Sequence, residues 1–225
     1  MESLSHRVPT ETLASLLASL VDTDGTPAHP YARAVIVGER QSFVRNLVDF
    51  ADFVHLLCLL HGSAPGFVDL AATRTTEVAA REWLVAAMNS FVTERAYLSR
   101  LAVLAGPLPS TSGHHETTTI ITQQRHALEM LAQSDRKGCS FGASVALVLE
   151  WDAMRTILDA GAARLGIEIP ACTLPSSKQT LDMLAALPDP QRLTRAMQFG
   201  GSQLVGQHRG LWDLLEARAM VRQEG

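Results

Sequence analysis

The chain has 225 residues, of which 47% are apolar, 19% charged and 5% aromatic, with a formal net charge of −4. That length buries a sizeable core without covalent staples, and the balance of residue types excludes general disorder. A net negative chain offers no basic field to nucleic acid or to an anionic membrane.

Three widely separated cysteines, Cys58, Cys139 and Cys172, make neither a disulfide framework nor a thiolate zinc site. Residues 1–10 carry Glu2, His6, Arg7 and Pro9 with no apolar stretch behind them, so a secretory signal is not expected. The longest strongly apolar run, 53–60, is interrupted by His55 and falls well short of the roughly 20 residues a spanning helix needs. The expectation is a cytoplasmic protein.

Periodicity near 3.6 dominates and no alternation of period two stands out, so the fold reads as all-α. Thr10 is placed to cap a helix over 11–21, which stops in the cluster Asp22-Thr23-Asp24-Gly25-Thr26-Pro27. A second helical stretch runs from about Tyr31 to Leu60 with a break near Gly38, and Gly62 is placed to close it in a left-handed cap. After Pro65 and a short turn at 67–72, Thr75 or Thr76 caps a helix over 76–105. At about 1.5 Å per residue that helix is on the order of 43 Å long.

A loop over 108–113 leads to a helix over 116–133, and the tight connection Ser134-Asp135-Arg136-Lys137-Gly138 leads to another over 141–165. Ser176 or Ser177 starts a helix to Leu187, Asp189 with Pro190 opens the next, and Gly200-Gly201 ends it. The last helix, 202–223, carries Leu204, His208, Leu211, Trp212 and Leu215 on one side. The sum is a single-domain helical bundle of about seven or eight helices. Four long core helices (41–60, 76–105, 116–133 and 141–165) are joined by shorter C-terminal helices over 177–223.

Three local patterns approach catalytic motifs and fail. Gly138-Cys139-Ser140-Phe141-Gly142 has the spacing of a nucleophile elbow, but polar 133–137 cannot supply the buried strand that elbow needs, so Ser140 reads as a helix cap. His115-Glu116 begins a zinc helix motif that Thr119 breaks where the second histidine belongs. Gly161 and Gly166 have phosphate-loop spacing, yet Ile167-Glu168 stands where Lys-Ser/Thr is required.

The stronger signal is charge inside apolar seams. Ala80, Leu84, Ala87, Phe91, Glu94, Leu98, Leu101 and Ala105 form one seam, with Glu94 its only charge. Ala143, Leu147, Glu150, Met154, Ile157 and Gly161 form another, with Glu150 its only charge. His55 lies on a broad apolar face with Asp52 one turn earlier. Charges in a core must be paired, hydrogen-bonded or bound to a cation.

Two readings follow. In the first, Arg81, Arg95, Arg155 or backbone groups satisfy these residues, no cofactor is needed, and the chain is a non-catalytic module. It then acts through a homo-oligomer or a protein partner, with the Trp212 face of the last helix as a docking candidate. In the second, Asp52, His55, Glu94 and Glu150 are metal ligands. Two carboxylates and an Asp-x-x-His pair resemble the inward-facing ligands of ferritin-like dimetal bundles, and the size and helix number also suit the haem-oxygenase-like class. That resemblance implies iron or another divalent metal and a redox activity. The roughly ten residues over 106–115, which reach about 33–36 Å at most, barely allow the long crossover such a bundle requires.

Overall fold

The computed structural model describes residues 12–40, 43–44, 46–110 and 113–224, and among them every regular element is helical. Nine α-helices and one 3₁₀ turn follow in order: α1 (Leu13–Asp24), the turn Thr26–Ala28, α2 (Pro30–Ile36), α3 (Leu47–His61), α4 (Phe67–Arg74), α5 (Val78–Leu104), α6 (His114–Ala132), α7 (Cys139–Leu165), α8 (Ser177–Ala185) and α9 (Pro190–Glu224). None of the described helices is long and apolar enough to cross a membrane.

Local chemistry accounts for most boundaries. Thr10 lies outside the described residues; Thr12 is the cap of α1, its Oγ1 accepting from Ser15 N–H at 3.1 Å. Pro30 opens α2, where the missing N–H costs nothing. Asn46 caps α3, and Gly38, with φ 78°, marks the expected break. Gly62 departs from expectation: its φ is −78°, so α3 ends without a left-handed residue.

The turn expected at 67–72 is the helix α4, held by Asp69, which accepts from Gly66 N–H at 2.6 Å. Neither Thr75 nor Thr76 caps α5; Glu77 stands at that position, and the Thr75 hydroxyl donates back to Ala71 at 3.0 Å. Ser176 with Gln179 forms a capping box at α8, as its sequence pattern indicates.

The central helix is α7, with eighteen of its 27 residues buried. Its most extensive partner is α9, which runs unbroken through Gly200-Gly201 where two helices were expected. The reason is close approach rather than termination. A Cβ on Gly200 would lie 1.9 Å from the Cys139 carbonyl oxygen, and one on Gly142 would lie 2.2 Å from that of Met197. Both glycines therefore let two backbones touch, and α9 absorbs the modest helix penalty of Gly200 in exchange for that packing. Gly161 serves α3 in the same way, since a Cβ there would sit 2.0 Å from the Phe50 ring.

One continuous apolar core links α1 to α9, and the large side chains Phe43, Phe50, Phe53, Trp151 and Trp212 are sealed inside it. Trp212 does not form an outward docking face. Its ring stacks on Phe53 with centroids 5.1 Å apart, and its indole N–H donates to Thr26 Oγ1 at 3.1 Å.

The crossing yields a paired test by thermal unfolding. Gly200→Ala forces backbone apart and is expected to destabilise by about 1–3 kcal/mol. Gly206→Ala, on the same helix but with open space around it, is expected to be neutral or to stabilise by about 0.5–1 kcal/mol. Equal effects at both positions would contradict the close-approach account.

Candidate functional site

Glu150 points from the middle of α7 into a volume with no solvent exposure. Its Oε1 accepts from the Thr26 backbone N–H at 2.6 Å; its Oε2 accepts from the Thr26 hydroxyl at 3.0 Å and from His208 Nδ1 at 2.5 Å. The carboxylate thus replaces its water shell with three donors from two segments distant in sequence. Gly25 makes this fit: a Cβ there would be 2.0 Å from Glu150 Oε1.

His208 continues the chain, with its Nε2 2.9 Å from His61 Nε2. With His208 Nδ1–H turned to a carboxylate, a single N–H···N hydrogen bond joins the two Nε2 atoms, and either ring can supply its proton. Only one proton fits between those two nitrogens. The His61 ring also stands edge-on to Trp151, with centroids 5.8 Å apart. Burial, and secondarily the neighbouring His208, holds the His61 pKa well below the ordinary imidazole value.

Glu94 lies on the far side of the Trp151 indole, whose N–H donates to Glu94 Oε2 at 2.8 Å. Its other oxygen accepts from Arg155 at 2.6 Å. Arg155 also donates to Asp159 at 2.7 Å and to the Pro170 carbonyl, and it covers the Tyr97 ring at 4.6 Å. Burial opposes the Arg155 charge, but Asp159 and Glu94 outweigh that and raise its pKa. Burial, with Asp159 beside the hydroxyl, raises that of Tyr97.

Asp52 forms a third network. It accepts two hydrogen bonds from Arg218, both 2.8 Å, and one from Arg222 at 2.5 Å. Arg218 also reaches Thr117 Oγ1 at 3.1 Å and the Pro109 carbonyl at 3.0 Å, while Arg222 pairs with Asp49. His55 belongs to none of the three: its Nε2 meets the Gly106 carbonyl at 2.7 Å and ties α3 to the end of α5.

The four residues considered as metal ligands, Asp52, His55, Glu94 and Glu150, therefore each end on a different partner. Among the described residues no group of three or more His, Cys, Asp or Glu side chains is placed to hold a metal ion. Arg155 is the partner that the sequence pattern allowed for; Arg95 instead pairs with Asp69 at 3.0 Å. The residues that sequence reasoning missed as partners, His208, Arg218 and Arg222, lie on a single stripe of α9. That stripe was legible, because 208, 211, 215, 218 and 222 follow the same three-and-four spacing as the apolar seam.

A carboxylate, histidine and histidine in line resemble a base with its orienting group, but access decides what they do. His208 and Glu150 have no exposure, and the clefts beside α5, α6 and α9 are lined by other residues. The line therefore holds α3, α7, α9 and the Thr26 turn in register.

Residues 21–223 match the family of unknown function DUF6975, and the chain belongs to that family. No curated protein and no solved structure matches the chain.

The depressed His61 pKa fixes a pH dependence. Unfolded His61 takes up a proton near pH 6.5, whereas folded His61 resists it, so the unfolded state binds more protons and stability falls as pH drops below that value. The slope attributable to one such group approaches about 1.4 kcal/mol per pH unit. Chemical denaturation between about pH 7 and 5 is expected to show this slope in the native chain and to lose it in His61→Gln. Parallel slopes in the two proteins would contradict the assignment.

Proposed function

We propose that this chain is a cytoplasmic, non-catalytic helical module that works as a homodimer. The observation that carries the reading is a groove between α6 and α9, of about 230 Å³, whose lining holds no charged side chain. Leu128 and Leu131 form its floor, Met130 and Phe199 stand at its edge 60% and 48% exposed, and Gln203 and Gln207 complete the α9 side. Scattered apolar residues on a surface need no explanation, but an uncharged patch with Met and Phe at its rim has the composition of an interface centre.

A second copy fits this groove better than a charged partner does. In a two-fold interface the same patch meets itself, so any charge in it would face its own like. The groove's own lining carries no such charge, and the nearest cation described at its edge is Arg136 over the Phe199 ring. The glutamine amides donate and accept in equal measure and can pair across such an axis. The interior supports a non-catalytic role, since the buried carboxylates of α3, α5 and α7 are consumed by internal partners. All three cysteines are unpaired, which agrees with a reducing compartment.

Multi-angle light scattering tests this directly. The expected mass is twice the 24.3 kDa of one chain. Phe199→Glu, which places like charges against each other on the axis, is expected to weaken the dimer by at least about tenfold. A strict monomer at every concentration, or a dimer indifferent to Phe199→Glu and Met130→Glu, would overturn the proposal.

A further inference from the structure

A second cleft, of about 260 Å³, lies where the end of α4, the start of α5 and the Ser134–Gly138 loop surround the first turn of α7. Its lining includes Arg74, Glu77, Asp135, Arg136, Lys137 and Ser140. Gly138, with φ 91°, turns the chain into α7, and a Cβ there would also press on Leu193 at 3.3 Å. Cys139 N–H is taken by the Arg136 carbonyl at 3.0 Å and Gly142 N–H by that of Gly138 at 2.8 Å. Between them, Ser140 N–H and Phe141 N–H have no acceptor among the described residues. They are the free donors of a 27-residue helix.

An open helix start alone would mean little, but Ser140 supplies an independent observation. The residue is 5% exposed and lines the cleft, yet its hydroxyl makes no hydrogen bond among the described residues. Unlike Gln124 Oε1 and Arg222 Nε, which are sealed from solvent without a partner, this hydroxyl keeps some access to solvent. A serine hydroxyl with no partner among the described residues, beside two unmet backbone N–H groups, is an arrangement of three donors open to one acceptor.

The charge around it favours an anion. Arg74, Arg136 and Lys137 exceed Glu77 and Asp135 by one, and Asp135 is already paired with Arg74 at 2.9 Å. The positive end of the α7 dipole adds to that excess. Arg136 lies over the Phe199 ring at 5.6 Å, which leaves Lys137 as the cation without a partner among the described residues. No imidazole lines the cleft, so Ser140 has no histidine to activate it as a nucleophile.

We propose that this cleft binds a small phosphate monoester, its phosphate oxygens accepting from Ser140 N–H, Phe141 N–H and the Ser140 hydroxyl, with Lys137 closing from the rim. The cleft is several times the volume of inorganic phosphate, so the remainder of the ligand occupies the part bordered by Thr75, Thr76 and Glu77. Glu77 and the two threonines are hydrogen-bonding groups suited to a hydroxylated remainder rather than to an apolar one.

The probes are inorganic phosphate and β-glycerophosphate, added against sodium chloride of equal ionic strength, with backbone amide NMR as the readout. Saturable downfield shifts are expected at Ser140 and Phe141, larger than elsewhere in the chain, with the monoester binding more tightly than phosphate. Ser140→Ala is expected to weaken binding about tenfold, and Lys137→Ala, an exposed change that leaves the fold intact, severalfold. Shifts that chloride reproduces, that never saturate, or that persist unchanged in both variants would overturn the site.

Discussion

A carboxylate sealed in the centre of a helical protein is the constraint on which this structure rests. Glu150 cannot be left unmet without a penalty of several kcal/mol, and water does not reach it. The three donors that meet it come from the Thr26 turn and from His208 on α9, and His208 in turn leans on His61 at the end of α3. One ionic group therefore determines where four segments sit. Gly25 has to lack a side chain for the turn to come this close, and Trp212 has to deliver its N–H to the same threonine. The networks around Glu94 and Asp52 repeat the principle elsewhere in the core, with guanidinium groups as partners. Buried pairs of this kind contribute little net stability, since desolvation offsets most of the attraction, but breaking one is costly.

The sequence was most informative about helix class and glycine-marked breaks, less so about individual caps such as Gly62 and Thr75, and misleading where two distant segments decide together. The helix class, the boundaries near Gly38, Gly138 and Gly166, and the burial of Leu204, His208, Leu211 and Leu215 all follow from spacing and turn residues. Gly200-Gly201 reads as a stop because a glycine pair usually is one, and only the approach of Cys139 explains why α9 continues through it. The glycines of the elbow-like stretch have the same kind of cause. Gly138 turns the chain and Gly142 admits the α9 backbone, with no strand nearby among the described residues.

For the buried charges, spacing identified Asp52, Glu94 and Glu150 as interior groups, and the structure buries all three. The pattern allowed Arg155 as a partner for Glu94, but spacing could not supply the partners of Asp52 and Glu150, because acidic groups on separate helices fit a shared cation as well as separate donors. The deciding residues, His208, Arg218 and Arg222, lie more than fifty positions away on α9. Their own stripe, which mixes basic and apolar residues at seam spacing, was the one signal that pointed to internal pairing.

The uncharged groove of α6 and α9 and the donor-lined cleft at the start of α7 share Ser134, and the Arg136 side chain borders the cleft while covering Phe199 of the groove. The two surfaces are thus neighbours on one short loop. The close α7–α9 crossing holds that loop beside both, so the packing that Gly142 and Gly200 permit also sets the relation between groove and cleft.

The most direct test of internal pairing is the protonation of the His208 ring, read by imidazole nitrogen NMR on histidine-labelled protein with and without added zinc or ferrous iron. The account predicts a strongly deshielded Nδ1–H facing Glu150, and no change when metal is added. A ring protonated on Nε2 with Nδ1 bare, or resonances that shift as metal binds, would contradict it.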